Sequence, residues 1–214
     1  MGDVVSASAF SRSFNGKNIL HEVAMQVAEH ERVAIVGANG SGKTTLLRIL
    51  ATLITPTTGE VRVFGHSVLR ESRAIREIVG WAPAVDNGFF PRLTGFENLR
   101  LFGALRRLDT KALQLALGPW RQIEVFCEAL NTPFYLCSAG MKQLLTLSRA
   151  FVANPRLAIL DEPTRSLDAT TAVECLDLLD SICKEKTVII SSHHERDVKA
   201  IGARALTLRG GCLA

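Results

Sequence analysis

The sequence predicts an α/β fold built on a mainly parallel sheet. Strand and helix patterns alternate along the chain, as they do when parallel strands are joined by crossover helices. Short apolar runs such as Leu157–Leu160 and Thr187–Ser191 are typical of central, buried strands. Between Pro83 and Pro155 the strand pattern disappears, so we expect this stretch to be a helical subdomain inserted into the α/β core.

The individual elements are predicted from local patterns bounded by glycine and proline. Strands are predicted at Val23–Val27, Arg32–Val36, Gly59–Phe64, Val79–Ala82, Leu157–Leu160, Thr187–Ser191 and Ala205–Arg209. Helices are predicted at Lys43–Ala51, Gly95–Arg107, Thr110–Leu117, Arg121–Leu130, Ala139–Ala153, Ala169–Lys184 and Glu195–Ile201. We therefore expect one domain over residues 1–214, with an α/β core at 1–83 and 155–214 and a helical subdomain at 84–154.

Composition limits the classes of protein to consider. The chain has 214 residues, of which 47% are hydrophobic, and this is enough for a sizeable core in one domain. Its formal charge of +4 is scattered, so no nucleic-acid partner is expected. No apolar run reaches the roughly 20 residues of a membrane-spanning helix, and the N-terminus lacks a signal-peptide pattern. The five cysteines lack metal-ligand spacing and are expected to be small buried side chains in a reducing cytosol.

A glycine-rich motif, GANGSGKT, lies between a predicted strand and a predicted helix. Its glycines let successive backbone N–H groups face one anion, and the following helix adds the partial positive charge of its N-terminus. Lys43 is expected to reach the β- and γ-phosphates, and the Thr44 hydroxyl is expected to bind Mg²⁺. The motif predicts nucleotide binding but leaves the reaction open. The predicted binding residues are Gly37, Ala38, Asn39, Gly40, Ser41, Gly42, Lys43, Thr44 and Thr45.

Two further motifs bear on the reaction of the bound nucleotide. In LAILDE, a buried strand ends in two acids, so that Asp161 is placed to hold the hydration shell of Mg²⁺ and Glu162 to act as general base. Acids often end strands, but an adjacent pair in a chain with a phosphate loop favours this functional interpretation. Upstream, Ser138 is a good N-cap, and with Gly140 and the helix dipole it forms a second surface that attracts anions.

Taken together and in this order, the motifs resemble those of ABC transporter ATPase domains over nearly the whole chain. GANGSGKT resembles the Walker A loop, CSAGM a variant of the LSGGQ signature and LAILDEP the Walker B motif. Ser166–Asp168 resembles the D-loop, His193 the switch histidine and Phe14 the aromatic that stacks on adenine, although Phe14 could also be an ordinary core residue. The resemblance implies a P-loop NTPase core with an added antiparallel β subdomain. It also implies an ATP hydrolase with Glu162 and His193 as catalytic residues, and with Ser138, Gly140 and Asp168 at the nucleotide.

The same resemblance implies partners. Family members form head-to-tail dimers, so Ser138 and Gly140 of one copy would contact the γ-phosphate held by the other. A separate transmembrane permease would hold the chain at the inner face of the cell membrane, and residues 56–68 resemble exporter subunits. A soluble iron–sulfur assembly ATPase remains an alternative. A regulatory module that does not hydrolyse ATP is disfavoured by Glu162 and His193. DNA-repair relatives are excluded because the segment before Ser138 is too short for their coiled coils.

The chain departs from the family pattern at several positions. Cys137 and Ala139 stand where the signature usually has leucine and glycine. Ala84 stands where a glutamine usually contacts Mg²⁺, so we expect water or Asp86 to fill that position. The segment 84–98 is still expected to contact the permease. His194 is expected to face solvent at the start of the helix that comes after His193.

Overall fold

The computed structural model describes residues 3–85 and 88–214. In chain order, the strands in these segments are β1 (Asp3–Phe14), β2 (Lys17–Ala28), β3 (Arg32–Val36), β4 (Thr58–Val63), β5 (His66–Ser67), β6 (Val79–Ala82), β7 (Leu157–Asp161), β8 (Thr187–Ser192), β9 (Arg204–Arg209) and β10 (Cys212–Leu213). The helices are α1 (Lys43–Leu50), α2 (Ser72–Ile78), α3 (Gly95–Leu105), α4 (Thr110–Leu117), α5 (Glu124–Asn131), α6 (Ala139–Phe151), α7 (Ala169–Ile182) and α8 (Glu195–Ala200).

The larger sheet has the strand order β10-β9-β3-β8-β7-β6 and confirms the predicted α/β fold class. Its strands are parallel from β9 to β6, and only β10 runs antiparallel to its neighbour. Because β3, β8 and β7 are adjacent and parallel, the loops at their carboxyl ends lie along one edge of the sheet. Ligands of open α/β sheets bind at this edge.

The central strands are buried on both faces. On one face of β7, Leu157 and Ile159 pack in a core with the apolar residues of α1. On the other face, Ala158 and Leu160 pack with the helices α3 to α7. Successive side chains of a strand point to opposite faces. The continuous apolar runs of the sequence thus supply two cores, which lie on opposite sides of one sheet.

A second, antiparallel sheet has the order β2-β1-β4-β5. Strand β1 of this sheet was not predicted from the sequence, because bulges interrupt the alternation of apolar and polar residues. The register shifts between Ala7 and Phe10, and Ala9 has a φ of 44°. The strand nevertheless buries Val5 and Phe10 completely. It carries the chain to Phe14, at the margin of the larger sheet's loops.

The segment between β6 and β7 is helical, as predicted, with a difference in detail. The predicted helix at Arg121–Leu130 is divided into a 3₁₀ turn at Pro119–Gln122 and α5, because Ile123 has an extended backbone. Outside this segment, the short helix α2 was not predicted. α6 packs closely on β6 at Gly80, where an added Cβ would lie 2.2 Å from the carbonyl oxygen of Ala150. Any larger residue at this position would push the helix away from the sheet.

The buried amide of Asn98 holds the chain that leads from β6 into the helices. Its Nδ2 donates to the carbonyl oxygens of Phe90, Leu93 and Thr94, and its Oδ1 accepts from the Phe90 N–H. The Phe134 N–H donates in turn to the Leu93 carbonyl. The connection after β6 is therefore fixed directly to the segment that precedes α6.

The expectation about the cysteines needs correction. Cys137, Cys175 and Cys183 are buried, but Cys212 is exposed and Cys127 is partly exposed, so the expectation of five buried thiols is wrong. Burial raises the pKa of Cys175 and of Cys183 to about 12, which keeps these thiols protonated and unreactive.

The absence of a membrane-spanning segment was also expected from the sequence. Across the described segments, no helix is both long enough and apolar enough to cross a membrane.

Candidate nucleotide site

The loops that follow β3, β7 and β8 surround an open cleft of about 740 Å³ together with the end of β1. Most of the residues predicted to bind nucleotide or to act in catalysis line it. The described lining residues are Phe14, Ile19, Asn39, Gly40, Gly42, Lys43, Thr44, Thr45, Glu162, Arg165, His193 and His194. The cleft is large enough for a nucleotide-sized ligand.

The glycine-rich loop needs its glycines for two physical reasons. Gly40 and Gly42 have φ values of 78° and 107°, which favour glycine because it has no Cβ. A Cβ on Gly37 would lie 2.3 Å from the Leu208 carbonyl oxygen of β9. The loop therefore lies against the sheet and turns sharply into α1, and this turn places the helix N-terminus at the cleft.

Lys43 is folded back over the same loop. Its Nζ donates to the carbonyl oxygens of Gly37 at 2.7 Å and Ala38 at 3.1 Å, and the side chain is 6% exposed. These bonds hold a positive charge beside the N-terminus of α1. The Ser41 hydroxyl is buried close by and has no hydrogen-bond partner among the described residues. A buried polar atom without a partner is costly, which is consistent with a polar ligand at this loop.

Thr44, which lines the cleft, is hydrogen-bonded to the buried Asp161 behind it. The Thr44 hydroxyl donates to Asp161 Oδ2 at 2.8 Å, and the Ser191 hydroxyl donates to Asp161 Oδ1. Asp161 is 2% exposed. Hydroxyl and carboxylate oxygens are the hard ligands that Mg²⁺ prefers, so these two residues fit the predicted metal.

Glu162 lies one residue beyond the buried strand with a strained backbone. Its φ is 47°, and its N–H donates to the carbonyl and hydroxyl oxygens of Ser191. Its side chain is 14% exposed, with Oε1 lying 3.6 Å from Nδ1 of His193 and Oε2 lying 3.8 Å from Nε of Arg165. Strained residues cluster where the surrounding structure over-determines a functional position. The geometry fits a carboxylate that is aimed into the cleft beside His193.

The loop that carries His193 is held by a buried acid that was not predicted from the sequence. Asp197 is 1% exposed, and its Oδ2 accepts from the Thr164 hydroxyl at 2.8 Å and the Ser192 hydroxyl at 2.7 Å. The His194 N–H then donates to Ser192 Oγ. An acid within a short, mostly charged helix gives no pattern that distinguishes it from a surface residue.

Phe14 and His194 both lie at the cleft. Phe14 is 40% exposed, so the alternative of an ordinary core residue is wrong. His194 is exposed, as expected, but it also lines the cleft. The centroids of the His193 and His194 rings lie 3.9 Å apart. The sequence did not predict this contact between the two rings.

Three other predicted nucleotide contacts, Ser138, Gly140 and Asp168, help to line a second cleft of about 630 Å³. Ser138 caps α6 and accepts from the Met141 N–H at 3.1 Å. Asp168 caps α7, and hydrogen bonds from the backbone and hydroxyl of Thr171 hold the pKa of its carboxyl below the usual value. Within one chain, the structure does not bring these residues to Lys43 and Thr44.

Ala84, which stands where the family usually has glutamine, contributes no polar group to the cleft around the phosphate loop. Ala84 is partly buried and is not among the residues described as lining it. Asp86, the residue expected to replace the glutamine if water does not, lies outside the described residues.

Comparison with known proteins agrees with this geometry. The family model described as ABC transporter matches residues 20–165. A Bacillus subtilis protein named uncharacterized ABC transporter ATP-binding protein YxlF is 31% identical, over 97% of this chain and 68% of its own length. Nod factor export ATP-binding protein I of Bradyrhizobium diazoefficiens is 30% identical, over 94% of this chain and 66% of its own length.

Solved structures give the same result. A dimeric post-hydrolysis state of the ATP-binding cassette MJ0796, bound to ADP and phosphate, has a TM-score of 0.86 and 25% identity. The alignment covers 98% of this chain and 96% of that one. The chain thus belongs to the ABC transporter family. It is an ATP-binding cassette with ATP hydrolase activity.

Glu162→Gln is expected to lower ATP hydrolysis by about 10²–10⁴-fold, the usual contribution of a general base, while ATP still binds. The matched control is Glu195→Gln, which removes an exposed carboxylate on α8 that lies 3.6 Å from Lys199 Nζ. Steady-state hydrolysis and nucleotide titration should be measured for both variants. Wild-type turnover by Glu162→Gln would exclude this residue as the base.

His193→Ala is expected to lower turnover by about 10²-fold, because the resemblance predicts that this side chain contacts the γ-phosphate, where polar groups stabilise developing charge. His194→Ala removes the ring that packs on His193 and lines the same cleft, so we expect a smaller loss of about 2- to 10-fold, the range of a ring–ring contact. Both variants should retain ATP affinity in equilibrium titration. Equal losses of turnover would contradict the separate roles assigned to these neighbouring histidines.

Proposed function

We propose that this cassette hydrolyses ATP as a head-to-tail homodimer and thereby drives transport, most simply export, through a separate transmembrane permease. The main support for a head-to-tail dimer is that the predicted nucleotide contacts are divided between two clefts of one chain. Lys43 and Thr44 line the first cleft, whereas Ser138 and Gly140 line the second. A second copy in the reversed orientation would bring the two sets together.

The second cleft has the chemistry to receive a phosphate. α6 is 13 residues long and begins at this cleft, so its N–H groups and partial positive charge are presented there. Ser138 is exposed, and its oxygen already accepts the Met141 N–H, which leaves its hydroxyl proton to be donated to a ligand. The similar cassette that is dimeric and binds ADP and phosphate supports a dimer for this chain.

In the completed site, each residue has a role that its contacts support. Lys43 and the N-terminus of α1 bind the phosphates, and Glu162 accepts a proton from the attacking water. His193 lies 3.6 Å from Glu162 and positions the water and the γ-phosphate. Thr44 and Asp161 would hold Mg²⁺, which supplies neutralising charge to the phosphate oxygens. ATP is the substrate.

The membrane partner would have a groove on which to dock. The groove lies between the end of α1 and strand β6 on one side and helices α3 and α6 on the other. Its border includes two exposed leucines, Leu53 and Leu105, and the cationic Arg76 and Arg106. Large exposed apolar side chains grouped around a groove are typical of interaction surfaces. A short amphipathic helix from the cytoplasmic side of a permease would fit this chemistry and hold the cassette at the inner face of the membrane.

Export is the direction that the relatives favour. Among them are the Nod factor export proteins, and their names refer to transport rather than to iron–sulfur assembly. They give no support to the soluble alternative. The chain spans about two thirds of the length of the first two relatives named above, so their cargo carries no weight for this protein.

A complementation experiment tests the head-to-tail dimer. Lys43→Ala should inactivate the phosphate loop, and Gly140→Asp should place a carboxylate where the γ-phosphate arrives, without disturbing the cap at Ser138. Each variant alone should be nearly inactive. A mixture of the two should regain turnover, because one of the two composite sites in each heterodimer contains only wild-type halves. If mixing restores nothing, the site is not shared between copies.

A charge placed in the groove tests the membrane partner. Leu105→Glu should abolish recovery of an integral membrane protein with the tagged cassette from detergent-solubilised host membranes. Leu69→Glu is the matched control, because Leu69 is also largely exposed and lies outside the groove. Both purified variants should keep their basal ATP hydrolysis. Loss of the membrane protein with both variants, or with neither, would contradict docking at this groove.

A further inference from the structure

Phe14 is in contact with a positive charge. Strand β1 ends at Phe14, and Arg12 lies two residues earlier in the same strand. The guanidinium carbon of Arg12 lies 4.2 Å from the centroid of the Phe14 ring. This distance is well within the range of a cation–π interaction.

The arginine covers only one face of the ring. Phe14 lines the nucleotide cleft and is 40% exposed, whereas Arg12 is not among the residues described as lining that cleft. Phe14 therefore stays accessible from the cleft while Arg12 lies against its ring.

The arginine is itself fixed to the loop between α1 and β4. Its Nη1 donates to the carbonyl oxygen of Thr55 at 2.9 Å. Two further hydrogen bonds join the strand to the same loop: Ser13 N–H donates to the Thr57 hydroxyl, and Thr57 N–H donates to the Ser11 carbonyl. The end of β1 is thus attached to a second element at three points, and Arg12 is a rigid support rather than a mobile surface side chain.

We propose that Arg12 is a positioning residue for the adenine base. It holds the Phe14 ring in the orientation in which the base stacks on it, and it does not contact the base itself. The proposal rests on the proposed function and on the stacking of Phe14 on adenine that the sequence predicts. A ring already held in one orientation loses little conformational entropy when a base stacks on it. A cation on one face of the Phe14 ring also draws electron density from the other face, which reduces repulsion between the ring and a base stacked on that other face. Arg12 therefore favours the nucleoside part of the ligand without contacting it.

The experiment compares a ligand that has the base with one that lacks it. Binding of ADP and of inorganic pyrophosphate is measured by calorimetry, directly or by competition, in the presence of Mg²⁺. Arg12→Met keeps the length of the side chain but removes its charge. We expect ADP affinity to fall by about 2- to 5-fold, the equivalent of an exposed cation–π contact, while pyrophosphate affinity stays the same. Arg12→Lys, which keeps a cation, should restore most of the loss.

The chain contains a matched control for this interaction. The guanidinium carbon of Arg156 lies 4.3 Å from the Phe64 ring centroid, away from the cleft. Arg156→Met should leave the ratio of ADP to pyrophosphate affinity unchanged. If Arg12→Met weakens both ligands equally, Arg12 acts through its charge or through folding, and the proposal is overturned. If the variant binds ADP more tightly, the arginine competes with the base, which also overturns it.

A double-mutant cycle separates the proposed role of Arg12 from the predicted stacking of Phe14 on adenine. Phe14→Ala alone should weaken ADP by at least about 5-fold, as expected for loss of a base–aromatic stack, and should spare pyrophosphate. Adding Arg12→Met to Phe14→Ala should then have no further effect. A full additional loss shows that Arg12 does not act through the ring, although Phe14 still binds the base. An unchanged ADP affinity in Phe14→Ala instead removes the proposed adenine contact itself.

Discussion

The buried carboxylate of Asp161 is the group on which the arrangement of the nucleotide site depends. It ends the central strand β7 and accepts hydrogen bonds from Thr44 on α1 and from Ser191 on β8. These bonds join α1 and the strands β7 and β8 at the carboxyl edge of the sheet. A buried ionised group is costly unless it is hydrogen-bonded, so this position constrains both of its neighbours. The phosphate loop, Glu162 and the loop that carries His193 are all placed relative to it.

The residues after Asp161 are held by a second set of hydrogen bonds. Glu162 adopts a positive φ because its N–H is fixed to Ser191 and its carbonyl lies near the amide of Gln143 on α6. Beyond it, Thr164 is joined through the carboxylate of Asp197 to the loop that carries His193. Catalysis requires groups that are preorganised where charge develops. The two networks fix the backbone around Glu162 and His193 at the first cleft, while the N-terminus of α6 lies at the second cleft.

The residues predicted to contact the phosphates are divided between two clefts of one chain, and the proposed dimer would bring them together. The segment before α6 is also hydrogen-bonded to the connection that leaves β6, through Leu93 and Phe134. A partner that shifts this connection would shift the start of α6 as well. Binding of a membrane subunit and closure of a dimer would in this way act on the same group of helices.

The sequence by itself determined the fold class and the parts of the site whose chemistry is local. The motif GANGSGKT, the acids that end the buried strand and the long apolar runs each specify structure through neighbouring residues, so that a short pattern is sufficient. Only the tertiary structure decided the rest: the bulged strand β1, the support of Phe14 by Arg12, the burial of Asp197, and the placement of Ser138 away from Lys43. Bulges interrupt the alternation of apolar and polar residues, and contacts between distant residues produce no periodic pattern. Neither can therefore be recognised from the residues nearby in the sequence.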